Sequence, residues 1–144
     1  MPHFQRAILT HGGAGSRPQH ADGPQAAADQ GLTLLQQGQT PLTAVVQAVR
    51  ILEADPRFNA GLGSQLRADG HTIQMDASCM TSSGDFGAVA CVEGLQHPID
   101  VAEGVLLHSP CLLLVGEGAQ CFAEQQAIPL YPLDPEASTN LLDR

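Results

Sequence analysis

The chain has 144 residues, a net charge of −9, 43% apolar residues and 15% charged residues. That composition supports one domain with its own core and argues against a disordered chain. All six basic residues are arginines, which excludes a Walker-type phosphate lysine or a Schiff-base lysine in this chain and leaves no basic patch for a nucleic-acid backbone.

Arg6 to Thr10 predicts a first buried strand, stopped by His11-Gly12-Gly13-Ala14-Gly15. Ser16 to Gly23 reads as loop. Pro24 to Gln37 favours helix, with Gly38 as its C-terminal stop. Thr40-Pro41 then pairs an N-cap residue with proline at the first helical position. Leu42, Val45, Val46, Val49 and Leu52 follow at helical spacing, and Pro56 ends this second helix. From Thr72 to Met80 the period changes to two: Ile73, Met75, Ala77 and Cys79 share one face, Gln74, Asp76 and Ser78 the other. Ser82 to Asp85 signals a turn and Phe86 to Val92 a second strand, so the pair predicts an antiparallel hairpin buried inside a layered fold. A helix around Ile99 to Leu107, a short strand at Leu112 to Val115 and a helix from Glu117 to Gln126 complete the regular part. Helices and strands mix throughout one domain, so the class is α/β or α+β.

The four cysteines form no Cys-x-x-Cys pair and are expected as buried free thiols. Six histidines show no metal spacing with one another. With no signal-peptide core and no membrane-length apolar run, the expected location is the cytoplasm, without a membrane partner.

Three features compete for chemistry. Gly12 to Gly15 after a strand suggests a nucleotide- or anion-binding turn, but Pro18 stands where Gly-x-Gly-x-x-Gly needs its third glycine. A tight turn approached closely by other backbone is favoured, with His11 a hydrogen-bonded structural histidine. Asp76 could serve as an acid or base, or as a buried carboxylate bonded to backbone donors. The third feature is residues 52–64, where a helix ends and a loop carries Phe58, Asn59, Gly61 and Gly63. Such a loop can turn its carbonyl oxygens inward and hold an asparagine side chain rigid.

His11-Gly12-Gly13-Ala14-Gly15, Phe58-Asn59-Ala60-Gly61-Leu62-Gly63, Met75-Asp76-Ala77-Ser78, Gly87-Ala88-Val89-Ala90 and Ser109-Pro110 followed by Val115-Gly116-Glu117-Gly118 occur in that order. Together they resemble the N-terminal part of a plant-type (type III) L-asparaginase, or isoaspartyl peptidase. The related glycosylasparaginases do not open with His-Gly-Gly. The resemblance implies an α+β fold, the αββα four-layer sandwich of N-terminal-nucleophile hydrolases, of which this chain is the N-terminal half. It implies residues 1–128 as the α-subunit part of one domain and 129–144 as the start of a mobile linker toward a self-cleavage site. None of the seven threonines is followed by Val-Gly, so the nucleophilic threonine is expected on a β subunit, within an (αβ)2 heterotetramer acting on L-asparagine and β-aspartyl dipeptides. Carried over by position, the backbone carbonyls of Leu52, Glu53, Asp55, Phe58, Ala60 and Leu62 would hold a structural Na+. Asn59 would lie against the nucleophile, and Gly12 and Gly13 would support self-cleavage.

Overall fold

Thr40 opens the helix that the sequence specifies best. In the computed structural model, which describes residues 6–131, helix α2 (Pro41–Glu53) begins with Thr40 in extended backbone, its hydroxyl accepting the Thr43 N–H at 3.1 Å. The cap satisfies one of the amide donors that a helix start leaves open. Thr40→Ala is expected to lower stability by about 1 kcal/mol, read as a shift in the urea unfolding midpoint. Helix α1 (Asp22–Gln36) precedes α2 and packs on it closely. A Cβ on Gly31 would lie 3.3 Å from the Ala44 carbonyl oxygen.

Strands β1 (Met75–Met80) and β2 (Phe86–Val92) pair antiparallel, and β3 (Leu113–Val115) adds to β2 in parallel, giving the sheet order β1-β2-β3. Helices α3 (Pro98–His108) and α4 (Glu117–Gln125) complete the described elements. Helix α3 lies across β1 and β2. The approach is close because Gly87 has no side chain: a Cβ there would stand 2.3 Å from Ala102 O and 2.4 Å from Leu106 N. Val46 of α2, Ile73, Met75, Val89, Val92, Leu95, Val101 and Val105 fill the space between helices and sheet. This is the aliphatic core that a chain without Trp must build.

The period-2 pattern of β1 is observed, with Met75 and Cys79 buried and Asp76, Ser78 and Met80 exposed. Strand β1 is therefore covered on one face only among the described residues, and Met80 of β1 and Leu113 and Val115 of β3 remain open. Between Met75 and Ala77 the register slips, and Cys91 takes a φ of +53°. The Asp76 carboxylate closes this bulge by accepting the Cys91 N–H at 2.8 Å. Asp76 thus has the expected backbone donor, but on an exposed rather than a buried face.

Other expectations are corrected. Residues 6–10 form no ladder, and Leu9 is 96% exposed, not in a buried strand. A strand needs a hydrogen-bonded neighbour, and none is present among the described residues. The segment instead runs along α1: Thr10 Oγ1 donates to Pro24 O at 2.7 Å, and Ile8 packs where Gly31 lacks a side chain. Within residues 16–23 the expected loop contains a 3-10 turn at Pro18–His20 and the start of α1. Of the cysteines only Cys79 is buried. Cys121 faces outward from α4, opposite buried Ala119 and Ala123, and Cys91 sits on the bulge. Of the expected linker, 132–144 lies outside the described residues. No helix among the described residues is long and apolar enough to cross a membrane.

Candidate functional site

Phe58 organises the loop that follows α2. Its ring is 3% exposed and fills the space left by two glycines. A Cβ on Gly12 would lie 2.9 Å from Phe58 Cε1, and one on Gly23 would lie 2.4 Å from the ring. The His11 to Gly15 turn and the start of α1 therefore close on the same aromatic. His20 meets the ring edge-on, with centroids 6.4 Å apart. His11 is the hydrogen-bonded histidine expected: its Nδ1 accepts the Gly13 N–H at 3.0 Å. Gly13 has a φ of +92°, in the region that favours glycine, and Ser16 N–H closes the turn on Gly13 O at 3.1 Å.

Asn59 is exposed, and its Oδ1 accepts the Gln65 N–H at 3.1 Å. This bond closes the loop on itself and leaves the amide hydrogens of Nδ2 for another partner. Gly12, Gly13, Phe58, Asn59 and Gln65 line one cleft of about 610 Å³. The three residues proposed from sequence to support chemistry thus converge, although Asn59 and Gly13 are 46 positions apart by residue number. Asn59 and Ala60 also border a smaller cavity of about 190 Å³, shared with Glu53, Ser64 and Asp76.

The carbonyls of residues 52–62 crowd together because Gly61 and Gly63 let the backbone double back. A Cβ on Gly61 would lie 2.2 Å from Glu53 O, and one on Gly63 would lie 2.0 Å from Phe58 O and 2.6 Å from Pro56 O. Leu52 O, Asp55 O, Phe58 O and Ala60 O accept the N–H groups of Asp55, Phe58, Ala60 and Gly63 at 2.9 to 3.3 Å. A carbonyl with one such bond keeps a second lone pair. Glu53 ends α2 between Leu52 and Asp55, and Leu62 lies in the 3-10 turn Gly61–Gly63.

Charged contacts brace this loop, and the sequence reasoning did not anticipate them. Arg57 pairs with Asp55 at 2.6 Å and with Asp22 of α1 through two bonds of 2.8 and 2.9 Å. Arg57 beside them holds both carboxyls below the usual range. Asp55 and Arg57 are close in sequence, but nothing local points to Asp22. The Glu53 side chain is buried, and its Oε1 accepts the Ile99 N–H at 3.1 Å in the first turn of α3. Burial, opposed by that bond, pushes its carboxyl up to about 8. His97 Nδ1 lies 3.3 Å from Glu53 Oε2 without the alignment of a hydrogen bond, and both atoms are otherwise unpartnered among the described residues. Burial holds the His97 imidazole below its ordinary value. No cluster of three metal-binding His, Cys, Asp or Glu side chains occurs among the described residues.

Residues 4–144 match the Asparaginase_2 family, described as asparaginase. This chain belongs to the asparaginase family. This asparaginase-family chain is 42% identical over 132 residues to a plant-type L-asparaginase of Pyrococcus furiosus, covering 87% of the chain and 42% of that protein. It is 38% identical over 131 residues to an isoaspartyl peptidase/L-asparaginase of Danio rerio, again 87% of the chain and 42% of the relative. A Rattus norvegicus protein of the same description is 38% identical over 134 residues, covering 88% and 40%. The chain thus spans less than half the length of these relatives. Membership does not favour the nucleotide- or anion-binding reading of the glycine turn.

Proposed function

We propose that this chain is the α-subunit portion of a threonine amidohydrolase that cuts its own precursor and hydrolyses β-aspartyl dipeptides and L-asparagine to L-aspartate. The observation that carries this reading is the convergence of Asn59 with the Gly12-Gly13 turn on one cleft, in a chain whose relatives bear those activities in their names. In this reading the nucleophilic threonine belongs to a β subunit and its own α-amine takes the proton. The chain described here contributes position. Asn59, its Oδ1 held by Gln65, offers its Nδ2 hydrogens to the nucleophile, and the glycine turn leaves room for the scissile backbone. The β subunit would add the second sheet and second helical layer of an αββα sandwich, and two αβ pairs would form a cytoplasmic (αβ)2 tetramer.

The clustered carbonyls suit a hard monovalent cation, which takes several neutral oxygens. Leu52, Glu53, Asp55, Phe58, Ala60 and Leu62 would hold Na+ through their backbone. The ion would supply a fixed charge that stiffens the loop and no chemistry of its own. Exchanging Na+ for tetramethylammonium is expected to lower the melting temperature of the full-length protein by several degrees; an unchanged melt overturns the ion site.

The enzyme reading is tested on the full-length gene product. Electrophoresis with N-terminal sequencing is expected to show a second chain beginning with threonine, and the product is expected to release aspartate from L-asparagine and from a β-aspartyl dipeptide. One uncut, inactive chain refutes the proposal. Asn59→Ala is expected to slow self-cleavage or turnover roughly 10²-fold while the melting temperature changes little, because a positioning group is lost and the fold is not. Normal maturation and turnover in that variant would remove Asn59 from the mechanism.

A further inference from the structure

Arg57 makes more contacts than a surface arginine needs. Its guanidinium engages Asp55 through Nε and Nη2 at 2.6 to 3.0 Å, and Asp22 through Nη1 and Nη2 at 2.9 and 2.8 Å. It lies 5.7 Å from the centroid of the Phe58 ring. That ring separates Gly12 of the glycine turn from Gly23 at the start of α1. Asn59 is the next residue, and Arg57 itself borders the same cleft as Asn59, Gly12 and Gly13.

We propose that Arg57 is a positioning residue that sets Asn59 against the glycine turn. Asp22 anchors one end of the clamp on α1 and Asp55 anchors the other on the loop. The guanidinium fixes the lateral position of Phe58, and Phe58 passes this to Asn59 through one peptide unit. A planar fork bound to two carboxylates resists both sliding and rotation, which a single ammonium contact does not. The proposal rests on the hydrolase reading above, and it gives Arg57 a role exerted through Asn59.

Kinetics of Arg57→Leu, Arg57→Lys and Asp22→Asn in the full-length mature protein test it, at a temperature where each variant is folded. Arg57→Leu is expected to lower kcat about tenfold with KM within about twofold, since misplacement acts on the reacting geometry. Arg57→Lys is expected to recover part of that loss. Asp22→Asn is expected to lower kcat in the same direction, and Arg57→Leu with Asp22→Asn to be no worse than Arg57→Leu alone, because both act through one clamp. Unchanged kcat in folded variants, even with lower melting temperatures, overturns the proposal, as do losses that multiply in the double variant. Should Arg57→Leu fail to fold, Asp22→Asn decides alone, because Asp22 is exposed. An inactive wild type refutes the hydrolase reading, whereas an active wild type with unaffected variants refutes only the clamp.

Discussion

Gly63→Ala is expected to leave little folded, active protein. The new methyl would stand 2.0 Å from Phe58 O and 2.6 Å from Pro56 O. Both are backbone atoms of the same loop, so no side-chain rotation relieves the clash. Relief requires opening the turn that gathers the carbonyls and carries Phe58 and Asn59. Overpacking that moves backbone is expected to cost more than about 3 kcal/mol here. Gly13→Ala is the comparison: its φ of +92° is strained for alanine, but no atom stands within 4 Å of the added Cβ. It should cost on the order of 1 kcal/mol. Soluble yield and thermal melts of the two variants check the contrast. A Gly63→Ala protein that melts with wild type would show that the loop can open at little cost.

Glu53 carries the second large effect, one that depends on pH. Its carboxyl accepts the Ile99 N–H inside the joint between α2 and α3. Glu53→Leu leaves that amide buried without an acceptor and is expected to cost roughly 2 to 3 kcal/mol, whereas Glu53→Gln keeps an acceptor oxygen and should cost much less. The groups around the carboxyl are His97 before α3, Asp100 on α3 and Arg50 on α2, and Arg50 is itself paired to Asp100. Desolvation outweighs them and raises the folded pKa from 4.5 to about 8. Between these values the folded state holds a proton that the unfolded state has released. Stability from this group is therefore fully present below pH 4.5 and lost as pH rises to about 8, a change on the order of 5 kcal/mol. Glu53→Gln cannot titrate, so it should gain on wild type from pH 5 to about pH 8 in urea unfolding and then level off. Parallel pH profiles for the two proteins would mean that Glu53 stays ionised in the fold.

Much of the helical and hairpin structure was legible because its signals are local. Thr40-Pro41 marks a cap, and the spacing of Leu42 to Leu52 marks a buried face. The alternation from Ile73 to Cys79 sets which side of β1 meets the core. The segment 6–10 was misread for the opposite reason: apolar β-branched character suggests a strand, but pairing depends on a neighbour that no local pattern reveals. The exposed cysteines failed similarly, since an apolar run does not say which of its residues faces outward when a bulge or helix turn intervenes. In the candidate site, Asn59 and the glycines stood out because their residue types imply special backbone. Asp22, Ile99 and Gln65 did not stand out, because their part in the site arises only from long-range contact or from a backbone amide that every residue possesses.

The Asn59 to Gln65 bond and the seating of Phe58 have a consequence for the order of assembly. The contacts that join the glycine turn, Phe58, Arg57 and Asn59 fall between residues 10 and 65. None of these contacts reaches past residue 65, so none has to wait for the chain beyond it. During synthesis this half of the site can therefore take shape while the downstream polypeptide is still being made. A later segment docking on it would meet a surface whose conformational entropy has already been surrendered, so recognition between the two parts would be rapid and nearly rigid rather than a coupled folding event.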